Sequence, residues 1–166
     1  MTGPGPPAVG PLLIGVGTEH RHDDACGLDL ARRLRRRSRG RFRVVEAVGE
    51  TTALLDLWEG ETRVVLVDAA RSGAPAGTHR EIEVLADVAT PVPSTSTHGF
   101  SIAEAIALGR VLGRMPARLT LHTVEAADVS MGDGLSAPVA AAVERLVELL
   151  ERELTLPPTS GGAPDA

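Results

Sequence analysis

Short apolar runs alternate along this chain with longer segments of helical period, and that alternation most constrains what it can fold into. PLLIGVG reads as a buried strand ending in glycines. CGLDLARRLRRR, with Leu28, Ala31 and Leu34 at helical spacing, reads as the helix after it. FRVVEAV is a second strand, TTALLDLWEG a short helix burying Leu54, Leu55, Leu57 and Trp58, and TRVVLVDAA a third strand apolar enough to be covered on both faces. Beyond a loop containing SGAPAG, THREIEVL alternates polar and apolar residues, as an edge strand exposed on one face does, and it can run antiparallel.

From His98 to Gly113 a helix is predicted, with Ile102, Ala105, Ile106, Gly109 and Leu112 on one stripe and Pro116 marking its end before the strand ARLTLHTVEA. The last helix places Val139, Val143, Leu146, Val147, Leu150 and Leu154 on one face. Ser136 stands where a cap would be and Pro138 lies in the first turn. Strands alternating with helices predict an α/β fold: a three-layer α/β/α sandwich around a mostly parallel, twisted sheet of about five strands, with one edge strand free to be antiparallel. Residues 11–155 are expected to form a single domain. The segments 1–10 and 156–166, rich in Pro, Gly and small polar residues, are expected to be flexible tails, because they bury too little to offset ordering entropy.

Composition narrows the function classes. All seventeen basic residues are Arg, which excludes a Schiff-base lysine or a P-loop lysine. The net charge of −5 gives no broad attraction to nucleic acid or anionic membrane. The run ARRLRRRSRGRFR sits at a helix end, where cations favour the dipole, and lacks interleaved aromatics, so it reads as a solvated face. The lone Cys26 lies among small residues and reads as a packed thiol. There is no apolar run long enough to span a bilayer, and MTGPGPPAVG lacks signal-peptide character, so a cytoplasmic protein outside the membrane is expected. A monomer is expected as well.

Functional groups of open α/β sheets collect beyond the carboxyl ends of the strands. The first exit, GVGTEHRHDDACG, carries His20, His22, Asp23 and Asp24. Its Gly15-x-Gly17 is no dinucleotide fingerprint, since the third glycine falls at His20. Asp68 closes the apolar run VVLVDAA, and His98 opens a helix after STST. Taken singly, Asp23 or Asp24 can be a helix cap, Asp68 can satisfy loop amides and His98 can cap or pack. Together, two carboxylates and an imidazole on three strand-exit loops form a candidate N/O site for a borderline divalent ion, able to polarise an amide carbonyl.

These residues resemble the nickel-iron hydrogenase maturation endopeptidases. That family's glycine-rich first loop with an acidic pair matches GVGTEHRHDDACG, its second acid falling on Asp24. Its strand-ending Asp matches Asp68, its helix-opening His matches His98, and its G-x-x-L-S stretch matches Gly132, Leu135 and Ser136. Thr18 stands where the family usually has Asn, Ala25 where it often has Gly, and Glu19-His20-Arg21 is uncommon. The resemblance implies an endopeptidase that removes the C-terminal extension of a nickel-iron hydrogenase large-subunit precursor. Asp24, Asp68 and His98 would serve as both metal ligands and catalytic residues, and the nickel would be supplied by the precursor, although another divalent ion can occupy such a site. A phospho-receiver domain shares the strand-end acids, but it needs a lysine that this chain lacks. A non-catalytic metal-sensing or docking module of the same fold is the alternative.

Overall fold

The computed structural model describes residues 10–87 and 99–157. Five strands form one sheet: β1 (Leu12–Val16), β2 (Arg43–Ala47), β3 (Arg63–Ala70), β4 (His79–Val84) and β5 (Arg118–Glu125), in the order β2-β1-β3-β5-β4. All neighbours are parallel except β4, which pairs antiparallel with β5 at one edge. Among the described residues four helices flank the sheet: α1 (Cys26–Arg37), α2 (Thr51–Trp58), α3 (Gly99–Leu112) and α4 (Ala137–Thr155).

The two-residue period of the strands divides the core. On β3, Val65, Val67 and Ala69 join Leu30, Leu34, Val143 and Leu150 under α1 and α4, while Val64 and Leu66 join Leu54, Trp58, Ile102 and Ile106 under α2 and α3. The helical stripes named above meet these two faces, which gives the expected α/β/α layering. Trp58 is fully buried, and its indole N–H donates to the Arg114 carbonyl oxygen at 3.0 Å, so its one polar atom is satisfied inside the core.

Several local expectations need correction. The α3 stripe ends at Gly109. Leu112 is 53% exposed, because the helix stops there and the chain turns away at Gly113 with φ 64°. Leu57 is only partly buried. Ser136 occupies the N-cap position of α4 but makes no side-chain cap bond, since its hydroxyl donates to Asp23 instead. Asp68 does not end its strand: β3 continues to Ala70, with Asp68 paired in register with Thr123. Most of both expected tails, and His98, lie outside the described residues.

The arginine run is neutralised from within. Arg32 and Arg35 bond Glu46, Arg33 pairs with Asp29, and Arg37 and Arg41 pair with Glu151. Such partly exposed pairs contribute little stability individually, but they leave no uniform basic strip for a polyanion.

At the β4–β5 edge, His79 Nε2 and His122 Nδ1 share a hydrogen bond of 2.9 Å, with rings nearly parallel at 7°. Burial, then the neighbouring His79 charge, holds His122 down at about 4 from an ordinary 6.5. Between those values the unfolded chain takes up a proton that the folded chain refuses. The stability is therefore complete above pH 6.5 and is lost as pH falls toward 4, on the order of 3 kcal/mol in all. The melting temperature of His122→Phe should fall less steeply than that of the wild type across this window. Parallel profiles would show that His122 does not titrate as its burial requires.

Candidate functional site

The sheet order places a switch point between β1 and β3: the chain leaves β1 through α1 toward β2, and β3 lies on the side leading to β5 and β4. In open α/β sheets such a switch point, beyond the carboxyl ends of the strands, is where ligands ordinarily bind. A single 3-10 turn, His22–Ala25, follows β1, carries Asp23 and Asp24, and packs against β3.

Two glycines make this packing possible. A Cβ on Gly17 would stand 2.4 Å from the Asp24 carbonyl oxygen, and one on Gly27 would stand 2.3 Å from the carbonyl oxygen of Val16 and 2.5 Å from that of Val67. Only a residue without a side chain lets the turn and the start of α1 settle onto β1 and β3. The second glycine of GVG thus serves close backbone approach and needs no phosphate to explain it.

Asp24 is 0% and Asp68 1% exposed. Asp68 Oδ1 accepts from the Ala69 N–H at 2.8 Å. Both carboxylates, with Asp23, act electrostatically on the thiol of Cys26. Burial first, then Asp68, Asp23 and Asp24, push that thiol well up from its ordinary value. Cys26 is therefore a neutral packing group, as its small-residue context suggests, and not a nucleophile. The turn and β3 bring Asp24 and Asp68 close enough to Cys26 for both to act on its thiol. His98 lies outside the described residues, and among the described residues no three His, Cys, Asp or Glu side chains are placed to hold a metal ion.

Sequence reasoning left Asp23 as a helix cap. It makes no such cap. Its fully buried carboxylate accepts four hydrogen bonds, all from the segment joining β5 to α4: Ala127 N–H at 2.8 Å, Asp128 N–H at 3.0 Å, Ser136 N–H at 2.7 Å and Ser136 Oγ–H at 2.8 Å. Backbone bonds reinforce the join, with His22 N–H to Gly132 O and Gly132 N–H to His20 O, both at 2.9 Å. The uncommon Glu19-His20-Arg21 segment takes part: His20 Nδ1 meets Asp133 Oδ1 at 2.6 Å and Arg21 Nε–H donates to the Val129 carbonyl.

Glu125, at the end of β5, was not singled out from the sequence. It accepts from Ser72 N–H, Gly73 N–H and Ser72 Oγ–H, fixing the loop after β3. The available signal was an acid closing an apolar strand, LTLHTVE, the same pattern that marks Asp68. Side chains thus tie the loop after β1 to the one after β5, and the end of β5 to the loop after β3.

Comparison with known proteins adds the family. The sequence profile of the family described as Hydrogenase maturation protease matches residues 28–153, a span that includes Asp68 and position 98 and begins just past Asp24. No curated protein sequence matches. Among solved structures, the chain is similar to the hydrogenase maturating endopeptidase HybD from E. coli (TM-score 0.67, 24% identity, covering 84% of this chain and 88% of that one). It is also similar to the [NiFe] hydrogenase maturation protease HybD from Thermococcus kodakarensis (TM-score 0.67, 23% identity, 87% and 98%). An endopeptidase from Escherichia coli, determined in solution, gives a TM-score of 0.71 at 21% identity, with 84% and 88% covered. At these identities the structural likenesses are likenesses of fold.

Proposed function

Since this chain belongs to the hydrogenase maturation protease family, we propose that it is an endopeptidase that removes the C-terminal extension of a nickel-iron hydrogenase large-subunit precursor after nickel insertion. The observation that supports this reading is the burial of Asp24 and Asp68, both close enough to Cys26 to act on its thiol, on the turn after β1 and on β3. Two buried carboxylates supply oxygen donors suited to a cationic substrate group.

On this reading Asp24, Asp68 and His98 complete the coordination of the nickel already carried by the precursor, so that recognition and readiness for cleavage are one event. The bound nickel supplies Lewis acidity toward the scissile carbonyl or the attacking water. The protein's own groups hold the precursor's metal centre in place, and a carboxylate takes the proton of the attacking water and returns it to the departing amine. Cys26, buried and neutral, takes no part.

Nickel-loaded and nickel-free precursor, each mixed with this protein and followed by mass, test the reading. Loss of the extension is expected only from the loaded precursor. If both stay intact while the loaded one binds, the chain is a docking module and not a protease. Equal cleavage of both would remove nickel from the recognition step.

A further inference from the structure

We propose that Asp23 is the positioning residue of the cleavage site: by clasping the segment 126–136 it fixes the orientation of Asp24, its neighbour in the turn. The inference rests on the proposed cleavage reaction and deepens it. The carboxylate oxygens of Asp23 are taken up by four donors from residues 127–136. Its own N–H donates to the Asp128 carbonyl at 2.9 Å, so the residue is held through both backbone and side chain. Asp24 follows directly, its N–H bonded to the Arg21 carbonyl at 3.0 Å and its carbonyl oxygen seated over Gly17. With both ends of the turn fixed, the Asp24 side chain has one direction in which to leave the backbone. A charged carboxylate suits this task because it accepts from every donor around it, whereas a neutral amide must turn an NH2 toward at least one N–H.

The effect of Asp23 on the reaction therefore passes through Asp24. Misplacing a reacting group by about 1 Å costs roughly 100-fold in rate. Asp23→Asn preserves volume but sets its amide NH2 against the Ser136 N–H or against the three donors on the other oxygen. The expected result is a 10- to 100-fold fall in kcat on nickel-loaded precursor, with KM within about threefold of wild type. This is to be measured well below the melting temperature, where the variant is folded by circular dichroism.

Hydrogen exchange supplies a readout independent of activity: the amides of Ala127, Asp128 and Ser136 should lose protection together. Ser136→Ala removes one of the four bonds and should give a smaller loss of kcat. Combined with Asp23→Asn it should add almost nothing, because both act through one contact. His20→Ala opens only the exposed outer contact to Asp133 and should leave kcat unchanged. Wild-type kcat in folded Asp23→Asn, with or without lost protection, overturns the positioning role and leaves the protease reading standing. An equal loss of kcat in His20→Ala also overturns it, because loop order in general would then be the cause. A wild-type protein inert toward loaded precursor overturns both readings at once.

Discussion

Asp68→Asn should lose roughly 10²- to 10⁴-fold in the rate of precursor cleavage, the scale on which one positioned proton-handling or charge-bearing group acts. Its melting temperature should change far less than its activity. The substitution keeps the shape and the oxygen that accepts from the Ala69 N–H at 2.8 Å. Activity and stability thus move apart, which a folding defect does not produce. Asp24→Asn should behave in the same way. Cleavage assays on both variants beside thermal melts would decide: retained activity in Asp68→Asn would mean that the carboxylate is structural, and a large fall in melting temperature would mean that its charge is compensated in the fold.

Gly27→Ala should destabilise the fold strongly for a single added methyl group. The new Cβ would stand 2.3 Å and 2.5 Å from two carbonyl oxygens of β1 and β3, neither of which is a flexible side-chain end that could move aside. Overpacking of a tight core costs about 1–3 kcal/mol, and contact with two strand backbones places this case at about 3 kcal/mol or beyond. The start of α1 would have to lift off the sheet, carrying the 3-10 turn and Asp24 with it, so activity should fall along with the denaturation midpoint. Ala at Gly60, where φ is 75° but nothing lies within 4 Å, is the comparison: its cost is conformational alone, about 1 kcal/mol. Similar midpoints for the two variants would show that close approach at Gly27 is not what positions the helix.

The layers of the fold were legible because hydrophobic period reports burial directly. The α4 stripe from Val139 to Leu154 is buried at every position named, and the polar alternation of THREIEVL points to an edge strand free to run antiparallel, as β4 does beside β5. Periodicity fails where a helix ends, so it carried the α3 stripe one turn too far, onto Leu112. The candidate carboxylates were legible as acids at strand exits, but their company was not. Asp23 and Ser136 stand 113 positions apart, and nothing in either local sequence announces the other. Each looked like a separate helix cap, because Asp and Ser are what a helix N-terminus ordinarily recruits. The same blindness hid Glu125, whose partners Ser72 and Gly73 lie in a loop that carries no hydrophobic pattern.

The clasp between the first loop and the last also orders events in time. Asp24 is made early in synthesis and Asp68 soon after, but the donors that hold Asp23 come from residues 127–136. Contacts of such long sequence separation form late, after the intervening chain has been drawn together and its closure entropy lost. A nascent chain therefore carries both acids without their fixed geometry until β5 and the start of α4 have emerged. On the proposed reading, cleavage competence would arrive with the last helix, and a chain stalled before α4 would hold Asp24 and Asp68 without the contacts that fix the turn.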